Sequence, residues 1–158
     1  MITVEPFQKE NLQQIIEIDK QIWNPTNTPV ANSEKLGTPE EHYYNTNVLV
    51  AKNDDNKVVG YIEYNSPSKL KAARYTWEFG IGVDPNFQHQ HIGTNLIEGL
   101  KDEAIKQNIH KIALRVFSTN PNAIAFYKKN GFTIEGTLKD EFFVDNHFVD
   151  DIRMSYFI

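Results

Sequence analysis

The sequence contains no cysteine, no long apolar run and no excess of basic residues. Without cysteine the chain has no disulfide, no thiolate metal ligand and no cysteine nucleophile, which fits a cytoplasmic protein. No apolar run approaches the roughly 20 residues of a membrane span, and the N-terminus lacks the pattern of a signal peptide. The net charge of -5 disfavours a broad nucleic-acid surface but leaves room for a small anion site.

The length of 158 residues suits one domain, which we expect to cover residues 1–158. Apolar and turn patterns predict the element order β-α-(α)-β-β-β-α-β-α-β-β, with a turn at Asp145-Asn146 between the last two strands. One of the helices is marked by apolar residues at helical spacing, namely Ile92, Leu96, Leu100 and Ala104. We therefore predict an α/β (α+β) fold in which helices flank a mixed, mostly antiparallel sheet.

The stretch FQHQHIGTNL, from Phe87 to Leu96, lies between a predicted strand and this helix. A zinc site at its two histidines is one interpretation, but no third ligand is nearby in sequence. A solvated loop with helix-capping residues is a second. In the third, backbone N–H groups at the helix N-terminus hold an anion, Gly93 lets a phosphate approach and Thr94 adds a hydroxyl donor. The loop lacks the Lys-Ser/Thr ending of a nucleotide-triphosphate loop.

A second stretch, NPNAIAFYKKNGF, predicts a helix with a proline in its first turn and a glycine after its end. Together the two stretches resemble the GCN5-related N-acetyltransferase (GNAT) family. The family's cofactor loop, Gln/Arg-x-x-Gly-x-Gly/Ala, would be residues 88–93 here. Its later segment, Asn-x-x-Ala-x-x-x-Tyr and then Gly-Phe, matches Asn120, Ala123, Tyr127, Gly131 and Phe132.

The resemblance covers almost the whole chain and is weakest over residues 24–44. The tail resembles the branch that holds ribosomal-protein N-terminal, polyamine and antibiotic-type acetyltransferases. One position departs from the family, because His91 stands where the first loop glycine is usual. A histidine with positive φ would be strained. Because the helical spacing already begins at Ile92, we expect His91 to have near-helical φ and ψ and the loop histidines to be incidental.

The resemblance implies a GNAT-like acyl-CoA N-acyltransferase fold and an acetyl-CoA-dependent N-acetyltransferase. The acetyl group would pass directly, in a ternary complex, from acetyl-CoA to a primary amine of a small molecule or a peptide N-terminus. The alternative is a non-catalytic acyl-CoA-binding or sensing domain, or an acyltransferase that uses another acyl-CoA. Neither a nucleic acid nor a membrane is an expected partner, and we leave both a monomer and a homodimer open.

The same resemblance assigns the cofactor contacts. Backbone groups on one strand would pair with the pantetheine arm as an added strand does: Ile81, Gly82 and Val83. Backbone amides of the loop would hold the pyrophosphate: Gln88, His89, Gln90, His91, Ile92, Gly93 and Thr94. Asn120 would contact the pantetheine; it is also a favoured helix N-cap before proline, and both roles can hold.

Two residues are candidates for the chemistry. The phenol of Tyr127, with an ordinary pKa near 10, could protonate the departing thiolate, although a core tyrosine is the competing interpretation. Glu78 is the candidate base, since strand alternation puts it on one open face with Gly80 and Gly82, although it could equally form a surface ion pair. The substitutes for the base are Glu63 and His42.

The acceptor side is predicted to be formed by the loop over residues 24–44 and by the tail. Acidic residues gather in these segments: Glu34, Glu40, Glu41, Asp140, Glu141, Asp145, Asp150 and Asp151. A local negative potential would attract a cationic amine or a basic peptide N-terminus. The competing interpretation is that these residues are solubilising surface charges.

Overall fold

A computed structural model of the chain describes residues 1–24, 26–28 and 37–158. The predicted acceptor loop is therefore described only in part, and Glu34 lies outside the described residues. The elements follow the predicted order: β1 (Thr3–Pro6), α1 (Leu12–Ile22), α2 (Pro39–Tyr44), β2 (Asn47–Lys52), β3 (Val58–Asn65), β4 (Thr76–Val83), α3 (Ile92–Lys106), β5 (Lys111–Phe117), α4 (Pro121–Lys129), β6 (Thr133–Val144) and β7 (His147–Phe157).

The seven strands form one sheet in the order β1-β2-β3-β4-β5-β7-β6. Every neighbouring pair is antiparallel except β4 and β5, which are parallel. This confirms the predicted mixed, mostly antiparallel sheet. The last hairpin turns at Asp145 and Asn146, whose φ values of 51° and 62° are those that a tight two-residue hairpin turn requires.

Helices cover both faces of the sheet. The apolar positions predicted for α3 are all buried against one face, and Gly60 on β3 lets the helix come close, since a Cβ there would lie 2.9 Å from Ile92 Cγ2. On the other face α1 buries Leu12, Ile15 and Ile18 against β2 and β3. Each such side chain contributes about 1.5–3 kcal/mol when fully buried, so both layers are anchored to the sheet.

The parallel pair β4–β5 is short. It extends only from Thr76 to Glu78 on β4, opposite Lys111 to Ala113 on β5. From residue 79 to Val83, β4 still pairs with β3. Within the described residues, no residue of β4 in this range pairs with β5. The backbone edge of β4 over residues 79–83 is therefore open on the side of β5.

No helix within the described residues is both long enough and apolar enough to cross a bilayer.

Candidate active site

A cleft of about 740 Å³ opens where β4 and β5 diverge, with further walls from α4 and the end of α1. This volume lies within the range of about 300–1,000 Å³ that is usual for small-molecule sites. The predicted site residues that line the cleft are Glu78, Ile81, Gly82, Val83, Gln88, Asn120 and Tyr127. Residues that are far apart in sequence thus share one cavity.

Strand β4 alternates as the sequence predicts, with Trp77 and Phe79 buried and Glu78 half-buried on the opposite face. That opposite face is not open along its whole length. Gly82 is buried, and a Cβ there would lie 2.6 Å from Ile22 Cδ1, at the end of α1. The open surface predicted for the three residues 78, 80 and 82 therefore ends before Gly82, because α1 covers the sheet there.

The prediction that His91 has near-helical backbone angles is wrong. His91 has φ 60° and ψ 17°, in the left-handed region, and His89 has φ 62°. Only a few residues connect the 3₁₀ turn Pro85–Phe87 to α3, and the left-handed residues turn the chain within this short loop. A left-handed L-residue costs roughly 1–2 kcal/mol, so the loop stores strain at the helix start.

The N-terminus of α3 lacks the side-chain cap that two other helices possess. Thr38 accepts a hydrogen bond from the Glu41 backbone N–H of α2, and Asn120 accepts one from the Ala123 N–H of α4, each at 3.2 Å. At α3 no side chain of the described residues caps the helix, and its first turn holds no acidic residue. The leading N–H groups of a 15-residue helix are thus available to an anion.

The side chains of this first turn divide between packing and the loop. Ile92 is buried against Gly60, and Gly93 lies against Phe126 of α4, since a Cβ at residue 93 would be 2.8 Å from Phe126 Cζ. Gly93 therefore has a packing reason as well as the predicted one. Thr94 is half-buried. Among the described residues, no three His, Asp or Glu side chains are grouped to hold a metal ion.

Helix α4 presents Asn120, Ala123 and Tyr127 to the cleft, at the spacing of one helix side. The Tyr127 ring packs edge-on against Phe79 of β4, with 6.1 Å between centroids, and against Phe132. Burial raises the pKa of Tyr127 to about 12. The residue is therefore both a core tyrosine and a wall of the cleft, and its phenol keeps its proton at neutral pH.

Sequence reasoning missed Arg115 and misjudged Asp151, which both line the cleft. Arg115 donates to Asp151 Oδ2 from Nε at 3.0 Å and from Nη2 at 2.7 Å, and Asp151 is only 1% exposed. The hydrogen bond with Asp151 is the main cause of a raised Arg115 pKa. Asp151 is thus a buried ion-pair partner and not an open surface charge; a charged residue within the apolar strand KIALRVF was the available signal.

Two of the other predicted acceptor-side acids are also engaged locally. Asp150 accepts from Lys139 Nζ at 2.9 Å and from the Asp140 backbone N–H at 3.0 Å. Glu41 accepts from the Thr38 N–H at 2.8 Å, as part of the α2 cap. These contacts favour the interpretation of local structural charges over that of a shared attracting field.

The end of α1, which also lines the cleft, is held by a buried polar cluster that the sequence did not predict. Trp23 Nε1 donates to Asp19 Oδ1 at 3.0 Å and to the Tyr61 hydroxyl at 2.9 Å. The hydroxyls of Tyr43 and Tyr61 both donate to the Asp19 carboxylate. Burial is the main cause of a raised pKa for both tyrosines, so they remain donors. The sequence signal for this cluster was an aspartate on an apolar helix face, four residues before a tryptophan.

Beside the cleft lies a second cavity of about 420 Å³. The two cavities share Glu63, Glu78, Phe79 and Gly80. His42 from α2 lines the second cavity, and its Nε2 lies 2.6 Å from Glu63 Oε2. The two substitutes for the base are thus a pair, and this pair stands next to Glu78.

Comparison with known proteins gives a consistent result. The model of the acetyltransferase (GNAT) family matches residues 12–132. Spermidine N(1)-acetyltransferase of Escherichia coli K12 is 35% identical over 81 residues, which are 51% of this chain and 44% of that enzyme. The match therefore spans less than half the length of this curated relative.

Solved structures resemble the chain over nearly its full length. The structure of smu.2055 from Streptococcus mutans UA159 is 30% identical, covers 98% of both chains and has a TM-score of 0.87. A phosphinothricin acetyltransferase from Sinorhizobium meliloti, solved in complex with AcCoA, has a TM-score of 0.85 at 20% identity, with 99% of this chain and 88% of that chain covered. At that identity the second likeness establishes the fold alone.

Proposed function

Because the chain belongs to the GNAT family of acetyltransferases, we propose that it transfers the acetyl group of acetyl-CoA directly to a primary amine. The observation that carries the proposal is that Glu78 and Tyr127 line one cleft, at the point where β4 and β5 diverge. A candidate base and a candidate acid thus border one reaction space. A silent acyl-CoA-binding domain is the alternative.

The backbone around the cleft supports the binding of an acyl-CoA donor. The open edge of β4 at Ile81, Gly82 and Val83 offers backbone groups to the amides of a pantetheine arm. The uncapped N-terminus of α3 offers N–H groups to a pyrophosphate, with the positive end of the helix dipole behind them. Asn120 also lines the cleft while it caps α4.

The two candidate residues meet the needs of the chemistry. Acetyl-CoA supplies the acetyl group as a thioester. An alkylamine with a pKa of about 10.4 is mostly protonated at neutral pH, so Glu78, directly or through a water, removes a proton to free its lone pair. Tyr127, still protonated because of its raised pKa, gives its proton to the sulfur that leaves.

The acceptor is proposed to be cationic. Glu63 and Glu78 border the cleft, and their carboxylates favour a cation there because the charge of Arg115 is neutralised by Asp151. The relative from Escherichia coli, a spermidine N(1)-acetyltransferase, acts on such an amine. At low salt, polyamines and basic peptides should turn over better than neutral or anionic amines. A preference for anionic amines would contradict this assignment.

Two further points stay proposals. A homodimer is supported by the edge strand β6, which exposes Ile134, Leu138 and Phe143, because an unpaired edge strand is a template for another chain. Sedimentation velocity would measure it. A cytoplasmic location rests only on the cysteine-free sequence.

The function is tested by the release of CoA thiol from acetyl-CoA with a panel of amines.

Binding of acetyl-CoA is tested separately with Thr94→Glu. A carboxylate in the first turn of α3 interacts favourably with the helix dipole, so the variant should keep or raise its melting temperature in the absence of ligand. It should lose the thermal shift that acetyl-CoA causes, because the new charge repels the pyrophosphate. Thr94→Gln is the uncharged control. A thermal shift in the parent without turnover of any amine would support the silent domain.

A further inference from the structure

His42 and Glu63 form a hydrogen-bonded pair between the two cavities beside β4. The distance from His42 Nε2 to Glu63 Oε2 is 2.6 Å, and the two side chains are 35% and 25% exposed. Glu63 borders both cavities, whereas His42 borders only the second one. The pair thus connects the reaction cleft with the second cavity.

The reaction proposed above needs a proton exit. An ammonium group and a thioester give an amide, a thiol and one proton, and this proton must reach solvent in every turnover. Tyr127 recovers its own proton from the amine and cannot export another. Glu78 borders the cleft but forms no ion pair with a described base through which it could pass a proton on. Glu63 has such a partner in His42.

We propose that Glu63 and His42 act as a proton relay from the bound amine to solvent, an inference that rests on the acetyl transfer proposed above. One N–H bond of the ammonium group breaks, and its electron pair stays on nitrogen as the attacking lone pair. Glu78 takes up this proton first and passes it, through water in the cavities that both glutamates border, to the Glu63–His42 pair, whose imidazole releases one proton to solvent. Thr46, Asn65 and Ser66 line the second cavity, and such polar walls suit a chain of waters.

Other groups surround the relay. The titratable side chains that line the second cavity with His42 are Glu63, Tyr64 and Glu78. Tyr43 of the same helix contacts the His42 ring edge-on, with 4.7 Å between centroids. Burial is the first cause of the pKa of about 12 for Tyr64 and also raises that of Tyr43, so neither carries a proton away at neutral pH.

The competing explanation is that His42 only holds α2 against the sheet through its contact with Glu63. Chemical rescue distinguishes a proton relay from this structural role. A small added base can replace the imidazole as a proton carrier, but it cannot hold α2 in place. In His42→Ala at pH 7, turnover should fall by about 10²-fold, and added imidazole should restore about tenfold. His42→Gln keeps an N–H donor for Glu63 and should stay slow. The thermal shift with acetyl-CoA should persist in both variants.

His147→Ala, on the exposed hairpin, is the control and should show parental turnover with no response to imidazole. Full activity in His42→Gln, or a slow His42→Ala that imidazole leaves unchanged, would show that His42 only positions α2 and would overturn the relay. If the parent binds acetyl-CoA but acetylates no amine, the proposed function fails, and the relay fails with it. An active parent with unaffected His42 variants defeats the relay alone.

Discussion

Gly93 of α3 lies so close to Phe126 of α4 that a Cβ at residue 93 would be 2.8 Å from the Phe126 Cζ. Both residues belong to stretches on which the resemblance to the family rests. The glycine is therefore needed to bring the two helices together beside the cleft. A substitution at this position disturbs helix packing before it tests anion binding.

Gly93→Ala should lower the free energy of unfolding by about 1–3 kcal/mol, the usual cost of overpacking. In a Phe126→Leu background most of this loss should disappear, because the Cζ atom is gone. Urea denaturation measures the free energy of unfolding of Gly93→Ala in the parent and in the Phe126→Leu background. Gly136→Ala is the control, since a Cβ there meets no atom within 4 Å, and its effect should stay within about 0.5 kcal/mol. Equal losses in both backgrounds would show that Phe126 is not the obstacle.

His91→Gly should stabilise the protein by up to about 1 kcal/mol. Glycine adopts the observed φ of 60° without strain, which outweighs its larger entropy in the unfolded chain. The bond from Asn95 Nδ2 ends on the His91 backbone oxygen, so the variant keeps it. Acetyl-CoA affinity should stay within about tenfold, because the backbone N–H is unchanged. Gln90→Gly, at a residue without positive φ, should instead be neutral or destabilising. A lower melting temperature in His91→Gly would show that the left-handed backbone of His91 does not destabilise the protein.

Local periodicity predicted the order of the helices and strands, because each one buries a single face. It also predicted the alternation of Trp77, Glu78 and Phe79 in β4. The pairs that shape the cleft were not predictable in this way. Arg115 and Asp151 are 36 residues apart in sequence and meet only because β7 lies between β5 and β6. The backbone angle of His91 depends on the loop as a whole, so helical spacing alone gave the wrong answer.

Asp84, at the end of β4, should contribute stability that depends on pH. Its carboxylate accepts from the Asn86 backbone N–H at 2.9 Å and from Lys57 Nζ at 3.3 Å. Burial opposes its charge, but the hydrogen bonds from Asn86 and Lys57 outweigh burial and hold the pKa below its ordinary value. Because the folded-state pKa is the lower one, the contribution is present above the unfolded-state pKa and is lost as the pH falls through the folded-state pKa.

Asp84→Asn should therefore lower the free energy of unfolding by about 1–3 kcal/mol at pH 7, and the difference should shrink below about pH 4. Denaturation curves from pH 7 to pH 3 measure the trend. Asp55→Asn, in an exposed turn, should match the parent throughout. A difference that stays constant with pH would assign the loss to packing and not to the charge.

Glu78→Gln should slow the amine step by about 10²-fold or more at pH 7 and leave acetyl-CoA affinity nearly unchanged. Glutamine keeps the shape of the side chain and cannot take up the proton. The defect should shrink as the pH rises towards 10, since more of the amine is then neutral. Glu17→Gln, on the exposed face of α1, is the control. A defect of equal size at every pH would point to a positioning role for Glu78.

Tyr127→Phe should lower turnover by about 10²–10⁴-fold while acetyl-CoA binding persists, because the change removes the acid and keeps the ring. The contacts of the ring with Phe79 and Phe132 should hold the fold. Tyr156 also packs against Phe132 but does not line the cleft, so Tyr156→Phe should retain turnover. An acetyl thioester whose thiol has a lower pKa needs less help from an acid, and it should rescue Tyr127→Phe more than it accelerates the parent. Equal gains in the two proteins would show that Tyr127 does not protonate the leaving thiolate.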